Sequence, residues 1–360
     1  MSAAANATQG IEAVLAQARA DIRALTPYSH AAWEPALTRM HANELPWRVE
    51  GDASDAGLNR YPEPQPPALV QALARLYGVS PAQILVGRGS DEAIDVLLRV
   101  FCRAGVDNVI ICPPTFGMYG VAARIQGAEV RTVPLCAEAG FALNETALLA
   151  SVDANTRLVF VCTPNNPTAN ALPPAQLLRI AAALNPGALL VVDEAYIDFA
   201  NVETLVHHLA EAPNLAILKT LSKAHGLAGA RVGALLAHPQ IIQLARKVIP
   251  PYAITELTVE AVVPQLSETS LARTRTRIAR LLVERERLAA GLRRSPLVTR
   301  VWPSDANFLL IDCSDADAVL ARARGAGLII RDVRQPALPT SLRISVGTPE
   351  QNSRLLESLS

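Results

Sequence analysis

Between about residue 68 and residue 236 the chain alternates seven short apolar runs with stretches of helical periodicity. The runs are 84–86, 109–112, 130–133, 158–162, 189–192, 216–218 and 233–236, each β-rich and too short for a helix. Helical stretches lie between them at 68–77, 91–103, 117–126 and 173–184. Strands that are apolar throughout need cover on both faces, and intervening helices supply it. The expected fold class is therefore α/β, with a mainly parallel seven-stranded sheet. Such a sheet gathers its ligands in the loops at the carboxyl ends of its strands.

The pattern changes after Pro250-Pro251. Residues 255–294 read as one long helix rich in arginine and glutamate. Short strands near 298–301, 308–311, 328–331 and 342–346 follow, with a helix over 315–324. The expected division is a large domain over 46–254 and a smaller α+β domain over 255–360. Residues 1–45 carry one amphipathic helix, 11–24, and are expected to form an arm packing on a dimer partner or on the small domain.

Composition excludes several classes of function. The 33 Lys+Arg balance 33 Asp+Glu, which argues against binding nucleic acid or a membrane surface by bulk charge. Cys102, Cys112, Cys136, Cys162 and Cys313 are odd in number and widely spaced, with no CxxC pair. They read as mostly buried thiols in a reducing compartment. No HExxH or Cys/His spacing suggests a metal, and His207-His208 reads as part of a solvated helix. Charged residues interrupt the Ala-rich start, and no apolar window is long enough to span a bilayer, so the expected location is the cytoplasm.

Lysine occurs only three times, at Lys219, Lys223 and Lys247. An amine that reacts covalently has to be partly desolvated and held in place. Lys223 lies after the run 216–218 and before a glycine-rich turn, the strand-end position where a site is expected. Lys219 and Lys247 read as solvated. Four other strand ends carry chemistry-bearing residues. In Val191-Val-Asp-Glu-Ala-Tyr196 an apolar strand ends in two acids, and Asp193 suits a protonated pyridine nitrogen, although taken alone it reads as a helix cap or surface pair. Val86-Gly-Arg-Gly-Ser-Asp-Glu-Ala93 offers backbone N–H groups and a helix N-terminus to a phosphate, which Ser222 and Arg231 could close from the other side. Cys162-Thr-Pro-Asn-Asn-Pro-Thr168 is either a structural turn or the source of an asparagine donor. Cys112-Pro-Pro-Thr-Phe-Gly-Met-Tyr119 supplies Phe116 as a stacking face.

All five segments fall at strand ends, in chain order. The succession "GRGSDEA", "CPPTFGMY", "TPNNPT", "VVDEAY", "TLSKAHGLAGAR" and "LRISVGT" resembles the fold-type I, aspartate-aminotransferase-like enzymes. With "LTPY" at 25–28, "HANELP" at 41–46, "LNRYPEPQP" at 58–66 and "IIRD" at 329–332, the chain resembles the histidinol-phosphate aminotransferase family from end to end.

The resemblance implies pyridoxal 5'-phosphate as cofactor, no metal, and a homodimer. It implies that Lys223 bonds the cofactor and moves the substrate α-proton, that Asp193 pairs with the ring nitrogen, and that Tyr196 and Asn166 hold the ring oxygen. The backbone at Ser90 and Asp91, with Ser222 and Arg231, would grip the cofactor phosphate, Thr220 would also bind the cofactor, Phe116 would stack on the ring, and Tyr61 would reach the phosphate bound by the partner subunit. Arg343 matches the arginine that grips the substrate, joined by Arg331 and Tyr28; two guanidiniums suit a phosphate dianion. The implied reaction transfers an amino group from L-glutamate to imidazole-acetol phosphate, in L-histidine biosynthesis. The alternatives are an aromatic or other amino-acid aminotransferase, or a threonine-phosphate decarboxylase. Phe116 stands where the family has tyrosine, His225 where it has phenylalanine, Ala169 where it has glycine and His41 where it has asparagine.

Overall fold

The computed structural model describes residues 3–29, 34 and 36–360, with residues 3–9 described by backbone alone. Helices α1 (Ala3–Ala16), α2 (Ala20–Ala24) and α3 (Pro67–Tyr77) lead into strand β1 (Ile84–Gly87). Then come α4 (Ser90–Phe101), β2 (Asn108–Ile111), α5 (Met118–Gln126), β3 (Glu129–Thr132), α6 (Glu145–Ala150), β4 (Thr156–Cys162), α7 (Pro174–Leu184) and β5 (Leu189–Asp193). β6 (Leu215–Thr220), β7 (Gly233–Ala237) and α8 (Pro239–Val248) complete this half.

The seven strands run in the order β1-β7-β6-β5-β4-β2-β3. β7 is antiparallel to both β1 and β6, and the other pairings are parallel. Period-two alternation splits the side chains between two cores. Val159, Val161, Leu190 and Val192 face the cluster that contains α3 and α7, whereas Leu158, Phe160, Leu189 and Val191 face α4, α5 and α8. Each fully buried side chain of this size stabilises the fold by about 1.5–3 kcal/mol, so neither face tolerates a shift of register. Only β3, at the sheet edge, is not buried.

Register also builds the site. Cys162 pairs with Asp193, and Asp193 with Leu218, so β4 and β5 end level while β6 runs two residues further, to Thr220. The antiparallel β7 starts at that same edge, with Gly233 beside both Thr220 and Gly87.

The amino-terminal helix differs from expectation in two ways. It breaks between Ala16 and Ala20, where the Arg19 N–H turns to the Val100 carbonyl at 2.9 Å. Its apolar face, Ile11, Val14 and Ala18, is buried in the second core of the same chain.

The single helix expected over 255–294 is also interrupted. α9 (Glu256–Val262) ends in a tight turn containing Pro264 before α10 (Glu268–Leu292) begins, because proline has no N–H to continue the ladder. Val259, Val262 and Leu266 still pack in the first core. Beyond α10 come β8 (Val298–Val301), β9 (Phe308–Cys313), α11 (Ala316–Gly325), β10 (Arg331–Asp332), β11 (Ser341–Ser345) and α12 (Pro349–Ser358). Their sheet is antiparallel in the order β10-β11-β9-β8. The strand expected over 328–331 shrinks to the two residues of β10; Leu328 and Ile330 pack against the small sheet's core while Ile329 is exposed. No helix of the described residues is long and apolar enough to cross a membrane.

Candidate active site

These strand ends border a cavity of about 420 Å³ lined by Ser90, Asp91, Phe116, Asn166, Asp193, Tyr196, Thr220, Ser222, Lys223, Arg231, Arg331 and Arg343. Twelve of the fourteen residues singled out from the sequence therefore line one cavity. The other two lie elsewhere in the protomer. Tyr61 stacks on Tyr252 with ring centroids 4.7 Å apart and lines a separate cavity. Tyr28 is 72% exposed and stands near Pro64 and Arg246, away from Arg331.

One wall is made by backbone. Gly89, at φ 86°, turns the chain into α4, whose first residues Ser90 and Asp91 present the positive end of the helix to the cavity. Arg231 reaches over it, with Nη2 3.5 Å from Asp91 Oδ2 and Nη1 3.4 Å from Ser222 Oγ. A Cβ on Gly89 would lie 2.6 Å from Arg231 Nη2. One on Gly233 would lie 2.4 Å from the Gly89 carbon and the Ser90 nitrogen. Both glycines keep backbone and guanidinium close enough to share one anion.

Asp193 ends β5 and is 4% exposed. Burial pushes its carboxyl up to about 6, against the hydrogen bonds from Tyr119 and the Ala195 N–H that favour the ionised form. Lys223 contacts the face of Tyr196, its Nζ 5.4 Å from the ring centroid. Its pKa is lowered, first by desolvation and next by the Arg343 charge, with Asp193 and Asp91 opposing. Burial raises the pKa of the Tyr196 hydroxyl, which stays protonated at neutral pH.

The four-stranded sheet closes the cavity from the opposite side. Tyr196 meets Phe308 edge to face at 5.1 Å, and Ala169, Ala195, Phe199 and Ala306 fill the seam around them. Asp305 ties the sheet to the asparagine loop by accepting the Ala171 N–H at 2.8 Å and donating its own N–H to the Ala169 carbonyl at 2.7 Å. Within that loop Asn165 is buried, accepting from Thr115 at 2.8 Å and donating to the Pro114 carbonyl at 2.8 Å. This frees Asn166 to face the cavity, where its Oδ1 accepts from Arg343 Nη1. Ala169 sits at φ 68°, the left-handed conformation that glycine adopts more readily.

Arg331 forms no salt bridge among the described residues, because Asp332 is taken by Arg334, which also bonds Asp317, both at 2.7 Å.

Two residues correct or extend the sequence reading. Lys219 is not solvated: it is 6% exposed and its Nζ lies 2.6 Å from Glu194 Oε2, with Thr204 Oγ1 at 3.2 Å. Lys219 lies on β6 and Glu194 directly follows the neighbouring β5, and the Leu205 N–H completes the carboxylate at 2.8 Å. Tyr119, which drew no attention in the sequence, is wholly buried and donates to Asp193 Oδ2 at 2.7 Å. Its partner is 74 positions away, so only the order of the sheet brings them together. His225 keeps Nδ1 buried without a partner, and burial lowers its pKa, so the ring is neutral. No His/Cys/Asp/Glu group among the described residues could hold a metal ion.

The sequence model of the family described as "Aminotransferase class I and II" matches residues 39–359. A histidinol-phosphate aminotransferase of Stenotrophomonas maltophilia (strain R551-3) is 45% identical over 97% of each chain. The crystal structure of histidinol-phosphate aminotransferase from Sinorhizobium meliloti in complex with pyridoxal-5'-phosphate is 29% identical, with a TM-score of 0.74 over 83% of this chain and 82% of that one. A Thermus thermophilus aspartate aminotransferase mutant, 22% identical with a TM-score of 0.74 over 83% and 87% of the two chains, shares the fold. With the family model spanning this site and a close relative matching end to end, the chain belongs to the class I and II aminotransferases.

Proposed function

We propose that this chain is a pyridoxal-phosphate-dependent aminotransferase that moves the amino group of L-glutamate to imidazole-acetol phosphate, giving 2-oxoglutarate and L-histidinol phosphate in L-histidine biosynthesis. The observation that carries the substrate assignment is the pair Arg331 and Arg343, facing each other across two strands at the cavity that also holds Lys223 and Asp193. A dianionic phosphate ester answers two guanidiniums, whereas one carboxylate needs a single arginine.

The residues present fit the cofactor. A phosphate has the α4 N-terminus, Ser222 and Arg231; a protonated ring nitrogen has the buried Asp193; and a flat ring has Phe116. When bound, pyridoxal phosphate supplies an electron sink and stores the amino group between the halves of a ping-pong cycle.

The chain's own groups do the rest. Lys223, its pKa lowered, is available as a nucleophile and as the base that takes and returns the proton at the substrate α-carbon. Asp193 in its carboxylate form would hold a ring N–H, while the Tyr196 hydroxyl and the Asn166 amide would hold the ring oxygen. Thr220 accepts the Ser222 N–H at 3.1 Å and so fixes the turn that aims Ser222 at the phosphate.

A homodimer belongs to the same reading. Leu37, Met40, Leu45, Trp47, Val49, Leu58 and Tyr61 all expose large apolar surface along one segment, which a second copy would cover. In that dimer Tyr61 would reach the phosphate site of the other protomer. The division into a cofactor domain over 46–254 and a small domain over 255–360 is likewise part of this reading. Free cysteines at all five positions favour a reducing compartment such as the cytoplasm.

Steady-state rates with histidinol phosphate, phenylalanine and threonine phosphate test the assignment. Histidinol phosphate is expected to be preferred as amino donor; a preference for phenylalanine, or carbon dioxide released from threonine phosphate, would overturn it.

A further inference from the structure

We propose that Tyr119 is a positioning residue that aims the Asp193 carboxylate at the ring nitrogen and links that carboxylate to the stacking face of Phe116. The inference rests on the reading of Asp193 given above. Tyr119 stands in the first turn of α5 with its ring stacked on Phe160 of β4, centroids 5.0 Å apart and planes within 9°. Its other neighbour is Phe116, met edge to face at 5.6 Å and 84°. Held between two rings, the hydroxyl donates to Asp193 Oδ2 at 2.7 Å, with the Cys162 thiol as its other polar neighbour. The Ala195 N–H donates to Oδ1 at 3.0 Å. Each carboxylate oxygen thus has one protein donor.

Phenylalanine would fill the same space between Phe116 and Phe160, so packing alone does not account for the hydroxyl. A buried carboxylate does: a donor on one oxygen favours the ionised form and stops the group from rotating. The other groups facing Asp193 do not duplicate this. Lys223 from the lysine loop is the cation that lowers the Asp193 pKa, Asp91 from α4 is a like charge, and the Cys162 thiol on β4 and the Tyr196 hydroxyl are both held protonated by burial. Because burial also raises the Tyr119 pKa well above its ordinary value, its hydroxyl stays protonated and keeps the proton it donates to Asp193.

The test uses the cofactor-free protein as wild type, Tyr119→Phe, Asp193→Asn and the double variant. Pyridoxal phosphate affinity is measured by fluorescence at pH 8 and pH 6, alongside melting temperature. Tyr119→Phe is expected to bind about tenfold more weakly at pH 8 and to lose more again at pH 6 than wild type does, because its carboxylate protonates at higher pH. In the Asp193→Asn background the same substitution is expected to change affinity less than about twofold, since the hydroxyl acts through the carboxylate. Wild-type affinity of Tyr119→Phe at both pH values, or equal losses in the two backgrounds, would overturn the proposal. Asp193→Asn separates the two claims: if it binds like wild type, the reading of Asp193 itself fails, whereas if it binds weakly and Tyr119→Phe does not, only the role of Tyr119 fails.

Discussion

Arg331 on β10 and Arg343 on β11 stand directly opposite each other in an antiparallel pair. Like charges at such positions repel, and Arg343 is drawn further from its ordinary pKa by burial and by Arg331. Asn166 accepts from Arg343, and among the described residues no carboxylate forms a salt bridge with Arg331. In the proposed function an anionic substrate would relieve this repulsion, and the two facing guanidiniums would supply part of its binding energy.

Replacing Arg331 with alanine should therefore raise KM for histidinol phosphate by roughly 10- to 100-fold, the range for one lost charge-assisted interaction, and leave the glutamate half-reaction within about threefold. Separate half-reaction kinetics check this. Equal losses for both substrates would show that Arg331 does not discriminate between them.

Gly233 lets the Gly89–Ser90 backbone lie close against β7. In Gly233→Ala the new methyl meets the Gly89–Ser90 backbone at 2.4 Å, with no flexible group to give way. Overpacking of this kind costs about 1–3 kcal/mol, and it falls on the cup itself. Melting temperature should drop by several degrees and pyridoxal phosphate affinity by tenfold or more, as measured by equilibrium titration of the cofactor-free protein.

Lys219→Met leaves Glu194 buried and unpaired and should destabilise the protein by about 3–5 kcal/mol, whereas Lys219→Met with Glu194→Leu should recover most of that loss. Chemical denaturation of the three proteins gives the comparison. If the single variant is as stable as wild type, the ion pair contributes nothing.

This pair marks where the sequence stops being legible. The seven strands and the cavity residues could be read because each motif is local: an apolar run followed at once by its chemical group, as in Val191-Val-Asp193 or Leu218 to Lys223. Lys219 was misread as solvated because its environment is set by β5 beside β6, a neighbour relation that no local pattern records. The same holds for Tyr119, whose hydroxyl is explained only by Asp193 two strands away in the sheet order. The helix over 255–294 was drawn too long because apolar periodicity continues through Pro264 while the backbone hydrogen bonding cannot. Tyr28 and Tyr61 fall outside the cavity that gathers the other expected site residues, and no local pattern around either residue records that.

The raised Asp193 carboxyl has a pH signature in the cofactor-free protein. Its folded pKa of about 6 lies above the ordinary 3.8, so the native state keeps a proton that the unfolded chain releases. The stability this group contributes is full below pH 4, falls as pH rises to about 6, and is constant above; the change is on the order of 3 kcal/mol. Asp193→Asn should abolish that dependence. Denaturation midpoints at pH 4.5 and pH 7 in both proteins measure it, and a wild-type midpoint that rises over this interval relative to the variant would contradict the assignment.

The central claim is that Lys223 carries the chemistry. The direct measurement is the Lys223→Ala protein, mixed with pyridoxal phosphate and L-glutamate and followed by the visible absorbance of lysine-bound cofactor and by 2-oxoglutarate formed. The account predicts that the band is absent and that amino transfer falls by at least about a thousandfold, the scale of losing a covalent and acid–base group together. A variant that keeps both the band and the transfer would contradict it.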